Sequence, residues 1–428
     1  MKRLTVVLCC VLSSHATARA VLATANRPTR SHDVDGQTTK RVLMLISDTG
    51  GGHRASANAL QAMMSELRPK GVDVKIVDIW TEHGAWPDNQ MPRTYPFFCR
   101  HPQLWRAMFY TSPLLEKPWF AATRLTCGPG FKRCISEYDP DLVVSLHPLC
   151  QHLPLHLTRR LGAGGVPFAT VCTDLGGAHP AWFVKGVDAC FVPSDAVRRI
   201  AEHRGVASSK IRQYGLPVRK EFWRASARSQ PSARKRSKLG LAPHKRTVLV
   251  VGGGDGVGNL EAIVDATAAE LAGLAPSAQL VALCGRNAAA RRRLEERQCA
   301  GRWPEVTVHV RGFTSEMSSY MEAADCLVTK AGPGTIAEAA LRGLPTILSS
   351  FLPGQEFGNV AFVVERGFGQ FARQPKAIGR TVSAWLRDDA KREELGNAAR
   401  AAATPLATRQ IATDLLCMMD GEKGWSTK

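Results

Sequence analysis

The sequence has no apolar run long enough to cross a bilayer. Its longest run, residues 4–12, has nine residues, whereas a membrane-spanning helix needs about 20. The 12 cysteines are scattered without a CxxC pair, which disfavours a zinc site and a secreted disulfide framework. Acidic residues are scarce: 37 Asp and Glu stand against 56 Lys and Arg, a net charge of +19. This excess favours anionic partners, whether nucleic acid, acidic lipids or phosphorylated substrates.

The first 32 residues contain no Asp or Glu. Lys2 and Arg3, the apolar run and an Ala-Arg-Ala tripeptide follow one another in the order of a secretory signal. Residues 21–32 are rich in Ala, Thr and Arg, which is typical of a transit peptide. Together they resemble the two-part leader of proteins sent to plastids bounded by extra membranes, and a plain signal peptide is the alternative. We therefore exclude residues 1–38 from the predicted fold.

The rest of the chain alternates short apolar strands with helical patterns, which predicts an α/β fold with parallel strands. Residues 222–246 interrupt this alternation with eight basic residues and no acid, so we expect a basic linker there. The linker separates a first half, residues 39–221, from a second half, residues 247–428 with its C-terminal helices. Ten strands are expected, at 41–47, 74–80, 142–146, 167–172 and 189–192 in the first half and at 247–251, 279–284, 306–310, 326–329 and 346–349 in the second.

Two Rossmann-like halves would place a ligand in the cleft between them, beyond the carboxyl ends of the strands. Three Gly-rich turns connect a strand to a helix there, at residues 48–53, 252–258 and 330–335. Such turns let the backbone approach a ligand closely and present unpaired N–H groups to phosphate. The 252–258 turn does not match G-x-G-x-x-G, and the chain has no Walker A lysine pattern, which disfavours nicotinamide and ATP chemistry.

Several polar side chains accompany these turns. His53 stands at a helix start, where it could accept a proton from a hydroxyl or merely cap or pack. Glu338 follows the third turn and is placed to accept two ribose hydroxyls. Gln355, Glu356 and Asn359 suit the hydroxyls of a sugar, with helix capping as the alternative. Together these features predict a glycosyltransferase that uses a nucleotide sugar.

Residues 80–120 hold ten of the 29 aromatic residues, interspersed with six prolines and with basic residues. This composition is typical of a protein that lies on the membrane surface, with core packing as the alternative. We expect the prolines to break up regular structure in this stretch. We expect the aromatic stretch around Trp105–Phe120 to insert into the bilayer, and substitution of Trp119 and Phe120 by Ser to reduce membrane binding.

The chain resembles the monogalactosyldiacylglycerol synthases of plastids over residues 40–420. The resemblance rests on seven long motifs: DTGGGHRASA (48–57), HPQLW (101–105), HPLCQHLPL (147–155), TDLGGAHPAWF (173–183), YGLPVR (214–219), KAGPGTIAEA (330–339) and GQEFGN (354–359). It implies a GT-B type fold of two Rossmann-like domains facing across a cleft. It also implies an inverting transfer of galactose from UDP-galactose to diacylglycerol on a plastid envelope membrane, to which the protein binds peripherally.

The same resemblance implies roles for single residues. His53 matches the family's histidine near the reaction centre, and Arg219 matches an arginine that meets the diphosphate. The remaining donor-binding positions are Gly312, Phe313 and Thr314 beside the uracil, Gly332, Pro333, Gly334, Thr335 and Glu338 at the phosphates and ribose, and Gln355, Glu356 and Asn359 at the sugar.

Pro87 and Trp182 match positions that the family ties to anionic lipid activators. His156 stands where plant members carry an arginine that faces an anionic lipid. This difference weakens the expectation that phosphatidylglycerol activates this protein. No metal or other cofactor is implied, and nucleic acid is not an expected partner. Two alternatives stay open: a glucosyltransferase that uses UDP-glucose, and a non-catalytic lipid-binding protein of the same fold.

Overall fold

A computed structural model describes residues 38–161, 165–224, 233–252, 259–274 and 277–421. The predicted leader, apart from Thr38, lies outside these residues, as does most of the Gly-rich turn at 252–258. Two six-stranded parallel sheets form the two halves, which confirms the predicted α/β class and the alternation of strands and helices. The twelve strands of the described residues are β1 (Lys40–Ile46), β2 (Val72–Asp78), β3 (Leu142–Ser145), β4 (Phe168–Val171), β5 (Ala189–Val192), β6 (Ile211–Gln213), β7 (Arg246–Val251), β8 (Ala278–Leu283), β9 (Thr307–Arg311), β10 (Cys326–Lys330), β11 (Thr346–Ser350) and β12 (Gly369–Phe371).

Helices pack on the faces of both sheets, whose apolar strand residues are buried. In chain order the helices are α1 (Gly52–Leu67), α2 (Ile79–His83), α3 (Met91–Arg100), α4 (Pro102–Thr126), α5 (Gly128–Tyr138), α6 (His152–Thr158), α7 (Asp195–His203), α8 (Ala233–Lys238), α9 (Leu260–Ala272), α10 (Ala288–Cys299), α11 (Met317–Ala323), α12 (Pro333–Leu341), α13 (Phe357–Glu365), α14 (Pro375–Arg387), α15 (Asp389–Ala402) and α16 (Ala407–Asp420). Short 3₁₀ turns lie at Asp88–Gln90, Pro148–Cys150, Pro180–Trp182, Ser208–Lys210 and Lys220–Phe222.

Each sheet reverses its strand order once. The first runs β2-β1-β3-β4-β5-β6, so the chain switches direction between β1 and β3. The second runs β12-β11-β10-β7-β8-β9 and switches between β7 and β10. Connections on the two sides of such a point leave on opposite faces of the sheet, which opens a crevice at the carboxyl ends of the strands. The predicted Gly-rich turns follow these strands.

The second strand ends two residues earlier than the predicted 74–80. Asp78 terminates it because its carboxylate accepts the Thr81 N–H at 3.2 Å and so caps α2. Ile79 and Trp80, which read as strand residues, are the first residues of that helix and are buried. Apolar runs alone do not distinguish a strand from a buried helical turn.

Part of the predicted linker is ordered structure. Helix α8 lies within residues 222–246, and its Arg236 is buried with its guanidinium 2.7 Å from the Asp325 carboxylate. Arg236 also donates to the Ala323 carbonyl at 2.8 Å. This end of the basic run is therefore docked on the second half instead of being solvated along its length.

The final helix crosses back to the first half. Its Ile411, Leu415 and Met418 are buried in one cluster with residues of β1 and α1. The Tyr214 hydroxyl donates to Asp414 at 2.9 Å, which fastens the helix beside β6. Helix α16 therefore completes the first half, although the predicted division assigns residues 247–428 to the second.

Candidate active site

The polar residues of the cleft lie on turns that follow neighbouring strands. Turns after β1, β3 and β4 carry His53, His147 and Thr173 in the first half. Turns after β10 and β11 carry the 330–335 segment and Gln355 in the second half. Because these strands are adjacent and parallel, their turns meet at the cleft. The fold thus brings together motifs that are separated by up to 300 residues in the sequence.

His53, the predicted base, lies in the first turn of α1 and is only 7% exposed. Its Nδ1 atom is 2.8 Å from the Thr173 hydroxyl. The ring lies edge-on to His147, with centroids 4.6 Å apart, and 5.9 Å from the Trp182 ring. The imidazole is therefore held on several sides by the first half.

Burial lowers the pKa of His53 to about 4, although a hydrogen bond to the Leu146 backbone and the nearby Asp48 carboxylate favour the charged form. The imidazole is consequently neutral at physiological pH, and the same burial makes it a weak proton acceptor while no charged group is bound beside it. A bound diphosphate would bring negative charge into the cleft, which raises the pKa of a nearby histidine. His53 would then become a stronger proton acceptor when a diphosphate is bound.

His147, which the sequence prediction did not single out, has a defined tautomer. The Leu149 N–H donates to its Nδ1 at 3.2 Å, so that nitrogen carries no proton. The Nε2–H then points to the Thr49 hydroxyl, 3.0 Å away. Burial and the neighbouring His53 hold the pKa of His147 well below its usual range. Two neutral imidazoles therefore lie against each other beside the Gly-rich turn.

Asp174 is a second residue that the prediction did not assign. Its carboxylate accepts the Trp182 indole N–H at 2.7 Å. Burial is the main reason that the pKa of Asp174 is raised to about 6, while hydrogen bonds from Trp182 and from the Gln355 side chain oppose the shift. Since Gln355 belongs to the second half, Asp174 links the two sides of the cleft.

The predicted lipid contact of Trp182 disagrees with its position. The side chain is 0% exposed and packs in the core of the first half. A lipid cannot reach this ring in the conformation described. Trp182 holds Asp174 and packs beside His53, so any effect on lipid activation would be indirect.

The two halves touch at a pair of glycines, Gly176 and Gly358. A Cβ on Gly176 would lie 2.0 Å from the Gly358 carbonyl oxygen, so neither position accepts a side chain without movement. Beside this contact the Gly176 N–H donates to the Asn359 carboxamide oxygen at 2.7 Å. The Asn359 amide donates to the Ala331 carbonyl at 2.8 Å.

Asn359 is 1% exposed, and both its carboxamide oxygen and its amide nitrogen already have hydrogen-bond partners. The predicted contact of Asn359 with the donor sugar does not fit this position. Its role in the structure is to join the first half to the turn that precedes α12.

Glu356 is also buried and occupied. One carboxylate oxygen is 2.6 Å from the Lys330 ammonium, and the other accepts the Leu352 N–H at 2.9 Å. It therefore closes the turn at residues 352–356, which we call the donor loop, and anchors it to the end of β10. Gln355, with its side chain on Asp174, is the residue of this predicted set that faces the opposite half.

The third Gly-rich turn ends in the N-terminus of α12. Gly332 is the cap residue and supplies no side-chain hydrogen bond, and Pro333 occupies the first helical position. The backbone N–H groups of Gly334 and Thr335 are therefore among the amides that an intrahelical bond does not use. A phosphate group fits this helix end.

Arg219 and Glu338, predicted to bind diphosphate and ribose, are paired with each other. Two bonds of 2.7 and 2.8 Å join the guanidinium to both carboxylate oxygens. The structure thus brings both residues to the cleft side of α12. Burial raises the pKa of the Glu338 carboxyl, and Arg219 opposes this shift. Each carboxylate oxygen has a second lone pair, so the pair leaves room for ribose hydroxyls.

The predicted uracil loop, Gly312, Phe313 and Thr314, follows β9 at the edge of the second half. Phe313 is 65% exposed, and the Arg286 guanidinium lies 5.2 Å from its ring centroid. An exposed ring beside a cation is suited to stacking on a base.

The other predicted lipid residues differ in exposure. Pro87 is exposed and follows the exposed Trp86. His156 lies on α6, half-buried, with its Nε2 atom unpartnered in the described residues. Burial is the largest influence that lowers the pKa of His156, and Arg124 and Arg160 add to it. Pro87 and His156 therefore remain predictions.

The aromatic stretch forms helices despite its prolines. Pro92 and Pro102 occupy first-turn positions, where a missing N–H costs nothing, whereas Pro96, Pro113 and Pro118 lie inside α3 and α4. Within the stretch predicted to insert, Trp119 and Phe120 are half-buried: Trp119 stacks on Trp80 and Phe120 packs on His152. Exposed apolar residues lie elsewhere on the two helices and form what we call the outer face: Phe97, Leu104, Met108, Tyr110, Leu114, Leu115 and Leu125.

Comparison with known proteins identifies both halves. A family described as monogalactosyldiacylglycerol (MGDG) synthase matches residues 53–218, and the glycosyltransferase family 28 C-terminal domain matches residues 247–413. The chain is 44% identical over 359 residues to the chloroplastic monogalactosyldiacylglycerol synthase of Spinacia oleracea, covering 82% of this chain and 67% of that protein. It is 41% identical over 391 residues to monogalactosyldiacylglycerol synthase 1 of Arabidopsis thaliana, covering 89% of this chain and 72% of that protein.

The fold also resembles solved structures. The crystal structure of Acinetobacter baumannii MurG matches with a TM-score of 0.57 at 17% identity, covering 88% of this chain and 99% of that chain. This likeness supports the GT-B fold. The sequence matches extend over both halves at 41–44% identity and therefore show the family as well as the fold: the chain belongs to the monogalactosyldiacylglycerol synthase family.

Proposed function

We propose that the protein is a UDP-galactose:1,2-diacylglycerol 3-β-galactosyltransferase, which makes monogalactosyldiacylglycerol. Its family membership supports galactosyl transfer for galactolipid synthesis. The observation that carries the mechanism is the contrast across the cleft: a neutral, buried His53 on one side and paired charges on the other.

In the proposed reaction His53 removes the proton from the free hydroxyl of diacylglycerol. The hydroxyl oxygen attacks the anomeric carbon of galactose while the bond from that carbon to the UDP oxygen breaks. Attack from the face opposite to UDP inverts the anomeric configuration. The electron pair of the broken bond leaves with UDP, and the proton stays on His53 until product release.

The leaving UDP gains negative charge, and groups around helix α12 can stabilise it. Arg219, Lys330 and the N-terminal amides of α12 provide positive charge or N–H donors at the carboxyl end of β10. These groups support transfer without a metal ion. We expect full activity after dialysis against EDTA, and a loss that Mg²⁺ or Mn²⁺ restores would contradict the metal-free reaction.

Galactose and glucose differ at one hydroxyl, so the donor is decided by experiment. The purified protein is incubated with diacylglycerol in mixed micelles and with UDP-galactose or UDP-glucose, and the lipid product is identified by mass spectrometry and sugar analysis. Galactolipid formation at a rate well above glucolipid formation is expected. Predominant glucolipid would establish the glucosyltransferase, and no glycolipid with either donor would favour a non-catalytic lipid-binding protein.

We further propose that the outer face of α3 and α4 rests on an anionic membrane. No helix within the described residues is long and apolar enough to cross a bilayer. Leu114 is 81% exposed and Leu115 60% exposed, which suits shallow insertion. Residues 91–126 contain five basic residues and one acid, Glu116. Glu116 is turned inward, where it pairs with Arg204 and His152.

Vesicle sedimentation tests this surface. We expect binding to vesicles of phosphatidylcholine with phosphatidylglycerol to rise with the anionic fraction and to fall with salt, at about 1 kcal/mol per basic residue near the surface. The Leu114→Ser/Leu115→Ser variant should bind several-fold less. Leu406→Ser, an exposed leucine of the second half, is the matched control. Equal loss in both variants would contradict the proposed face.

The curated relatives are named chloroplastic, and we propose the plastid envelope as the location of this protein. A fluorescent fusion of the whole chain should label the plastid rim. Removal of residues 1–38 should leave the fusion outside the plastid.

A further inference from the structure

Helix α4 has an inner face that repeats every three or four residues. Trp105, Phe109, Ser112, Glu116 and Trp119 on this face are half-buried, while the residues between them are mostly exposed. Such spacing is that of one face of a helix. Most of this face packs on the first half, to which α4 belongs. Phe109 also reaches the second half.

The Phe109 ring seats on Gly354 of the donor loop. Gly354 has a φ of +83°, and a Cβ at this position would lie 2.4 Å from Cδ1 of the ring and 2.7 Å from its Cε1. Glycine is therefore required at position 354 for two reasons: the backbone conformation has a positive φ, and the ring leaves no space for a Cβ. The aromatic side chain occupies the space that any other residue at 354 would fill.

The ring is fixed from the side of the first half. It lies edge-on to His179, with centroids 4.9 Å apart. The Ala181 N–H donates to His179 Nδ1 at 3.1 Å, so the Nε2–H points to the Ser112 hydroxyl, 2.9 Å away. That hydroxyl in turn donates to the Phe109 carbonyl at 2.9 Å. This carbonyl lacks its helical amide partner because residue 113 is proline.

The donor loop is fixed from the other side by Glu356, through Lys330 and the Leu352 N–H. Gly354 and Gln355 therefore lie between a polar anchor and an aromatic ring. The Gln355 side chain extends from this point to Asp174. A shift of the loop at Gly354 would move Gln355 away from the first half.

We propose that Phe109 is a positioning residue that sets the donor loop, so that Gln355 faces the sugar of the bound donor. The proposal rests on the proposed function for the identity of that sugar. Arg219 and Glu338, which we propose to bind UDP, lie on other elements: Arg219 precedes the Lys220–Phe222 turn and Glu338 is in α12. Loss of Phe109 should therefore affect binding and transfer of the sugar while binding of UDP alone is kept.

Calorimetry and kinetics test this separation with Phe109→Ala and the conservative Phe109→Leu. For Phe109→Ala we expect about tenfold weaker UDP-galactose binding and lower kcat, the size of one misplaced hydrogen-bonding group. UDP affinity should stay within about twofold. Phe109→Leu should recover most of the loss because it keeps an apolar group against Gly354. A parallel loss of UDP affinity, or no loss for UDP-galactose, would overturn the role of Phe109.

Amide hydrogen exchange tests the positioning without reference to the reaction. Peptides that cover residues 352–359 should exchange faster in Phe109→Ala than in the wild type, and the rate should recover in Phe109→Leu. Leu406→Ala, which removes an exposed apolar side chain, is the control. Equal exchange in Phe109→Ala and the wild type would overturn the proposal even where galactosyl transfer is established. Faster exchange in a protein that makes no galactolipid would instead contradict the proposed function.

Substitution of Gly354, the other residue of this contact, provides a second test. Gly354→Ala pushes a methyl group into the ring, so it should loosen the same peptides and weaken UDP-galactose binding. In the Phe109→Ala/Gly354→Ala double variant the clash is gone, and the combined loss should be smaller than the sum of the single losses. Additive losses would show that the two residues do not act through their contact and would overturn the proposal.

Discussion

The two sides of the cleft handle charge in opposite ways. On the first half the two imidazoles beside the Gly-rich turn are buried and neutral, with burial lowering the pKa of His53 to about 4 and that of His147 well below its usual range. The charges of that turn, Asp48 and Arg54, pair with each other at its exposed side. On the second half the corresponding turn is flanked by charges in pairs: Lys330 with Glu356, and Glu338 with Arg219, which reaches it from the chain crossing between the halves. The same strand–turn–helix unit therefore supports two kinds of chemistry.

This difference follows from the tasks that we propose for the two halves. A proton acceptor must be uncharged before the reaction, and burial without a partner of fixed charge keeps an imidazole neutral. A diphosphate site must attract negative charge when the donor arrives, yet buried charges need partners while it is absent. Three substitutions test the comparison.

His53→Ala removes the proposed base from the first half and should give the largest loss of activity. General-base catalysis typically contributes 10²–10⁴-fold, so we expect kcat to fall by about that factor. UDP affinity should not change, because the paired charges of the second half remain. Steady-state kinetics and calorimetry on the purified variant measure the two quantities.

His309→Ala, a half-buried histidine on β9, is the control for His53→Ala. A kcat within a few-fold of wild type for His53→Ala would exclude His53 as the base.

Asp174→Asn removes a buried carboxylate from the first half while keeping an oxygen that accepts the Trp182 N–H. Because burial raises the pKa of Asp174 from 3.8 to about 6, ionisation costs about 3 kcal/mol of unfolding free energy at pH 8. The stability linked to the protonated carboxyl is complete below pH 3.8 and is lost as the pH rises through about 6. We expect the variant to be more stable than the wild type at pH 8.

Urea unfolding at pH 4.5, 6 and 8 measures this difference. The difference in unfolding free energy between the variant and the wild type should shrink steadily toward the lowest pH, where Asp174 becomes protonated. Other titrating groups contribute equally in both proteins. A difference that does not vary with pH would contradict the assignment.

Glu338→Gln breaks a charge pair on the second half. A charge-assisted hydrogen bond contributes about 1.5–3 kcal/mol, so UDP should bind about 10- to 100-fold more weakly if Glu338 accepts the ribose hydroxyls. Calorimetric titration with UDP checks this, and Glu394→Gln, an exposed carboxylate that pairs with Lys391, is the control. Unchanged UDP affinity in Glu338→Gln would place the carboxylate outside the site.

The alternation of strands and helices was predictable because it follows from local periodicity. The position of the cleft followed from it, since parallel strands align their carboxyl ends. The roles of Asn359 and Trp182 could not be predicted in this way. Their polar partners come from elsewhere in the fold: Asn359 receives the Gly176 N–H from a residue 183 positions away. A polar side chain in a motif can serve the fold as well as a ligand, and sequence alone does not separate the two.

The Pro-rich aromatic stretch shows a second limit. Prolines predict interruption, but Ser112 supplies the hydrogen bond that Pro113 removes from the Phe109 carbonyl, so α4 continues. Which aromatic rings face outward depends on partners such as Trp80 beneath Trp119. The structure shows exposed apolar residues in this stretch, and the helical phase decided which residues they are; their contact with a membrane stays a prediction.

The return of α16 to the first half restricts how the cleft can open. The chain passes between the halves at two places, near Arg219 and again before Ala407, and Thr408 bonds to the Val218 backbone where these two crossings meet. Two halves joined by a single chain crossing can twist and slide relative to each other. Two adjacent crossings leave only rotation of one half about the line that joins the crossings. Opening and closing of the cleft would thus be reduced to one degree of freedom.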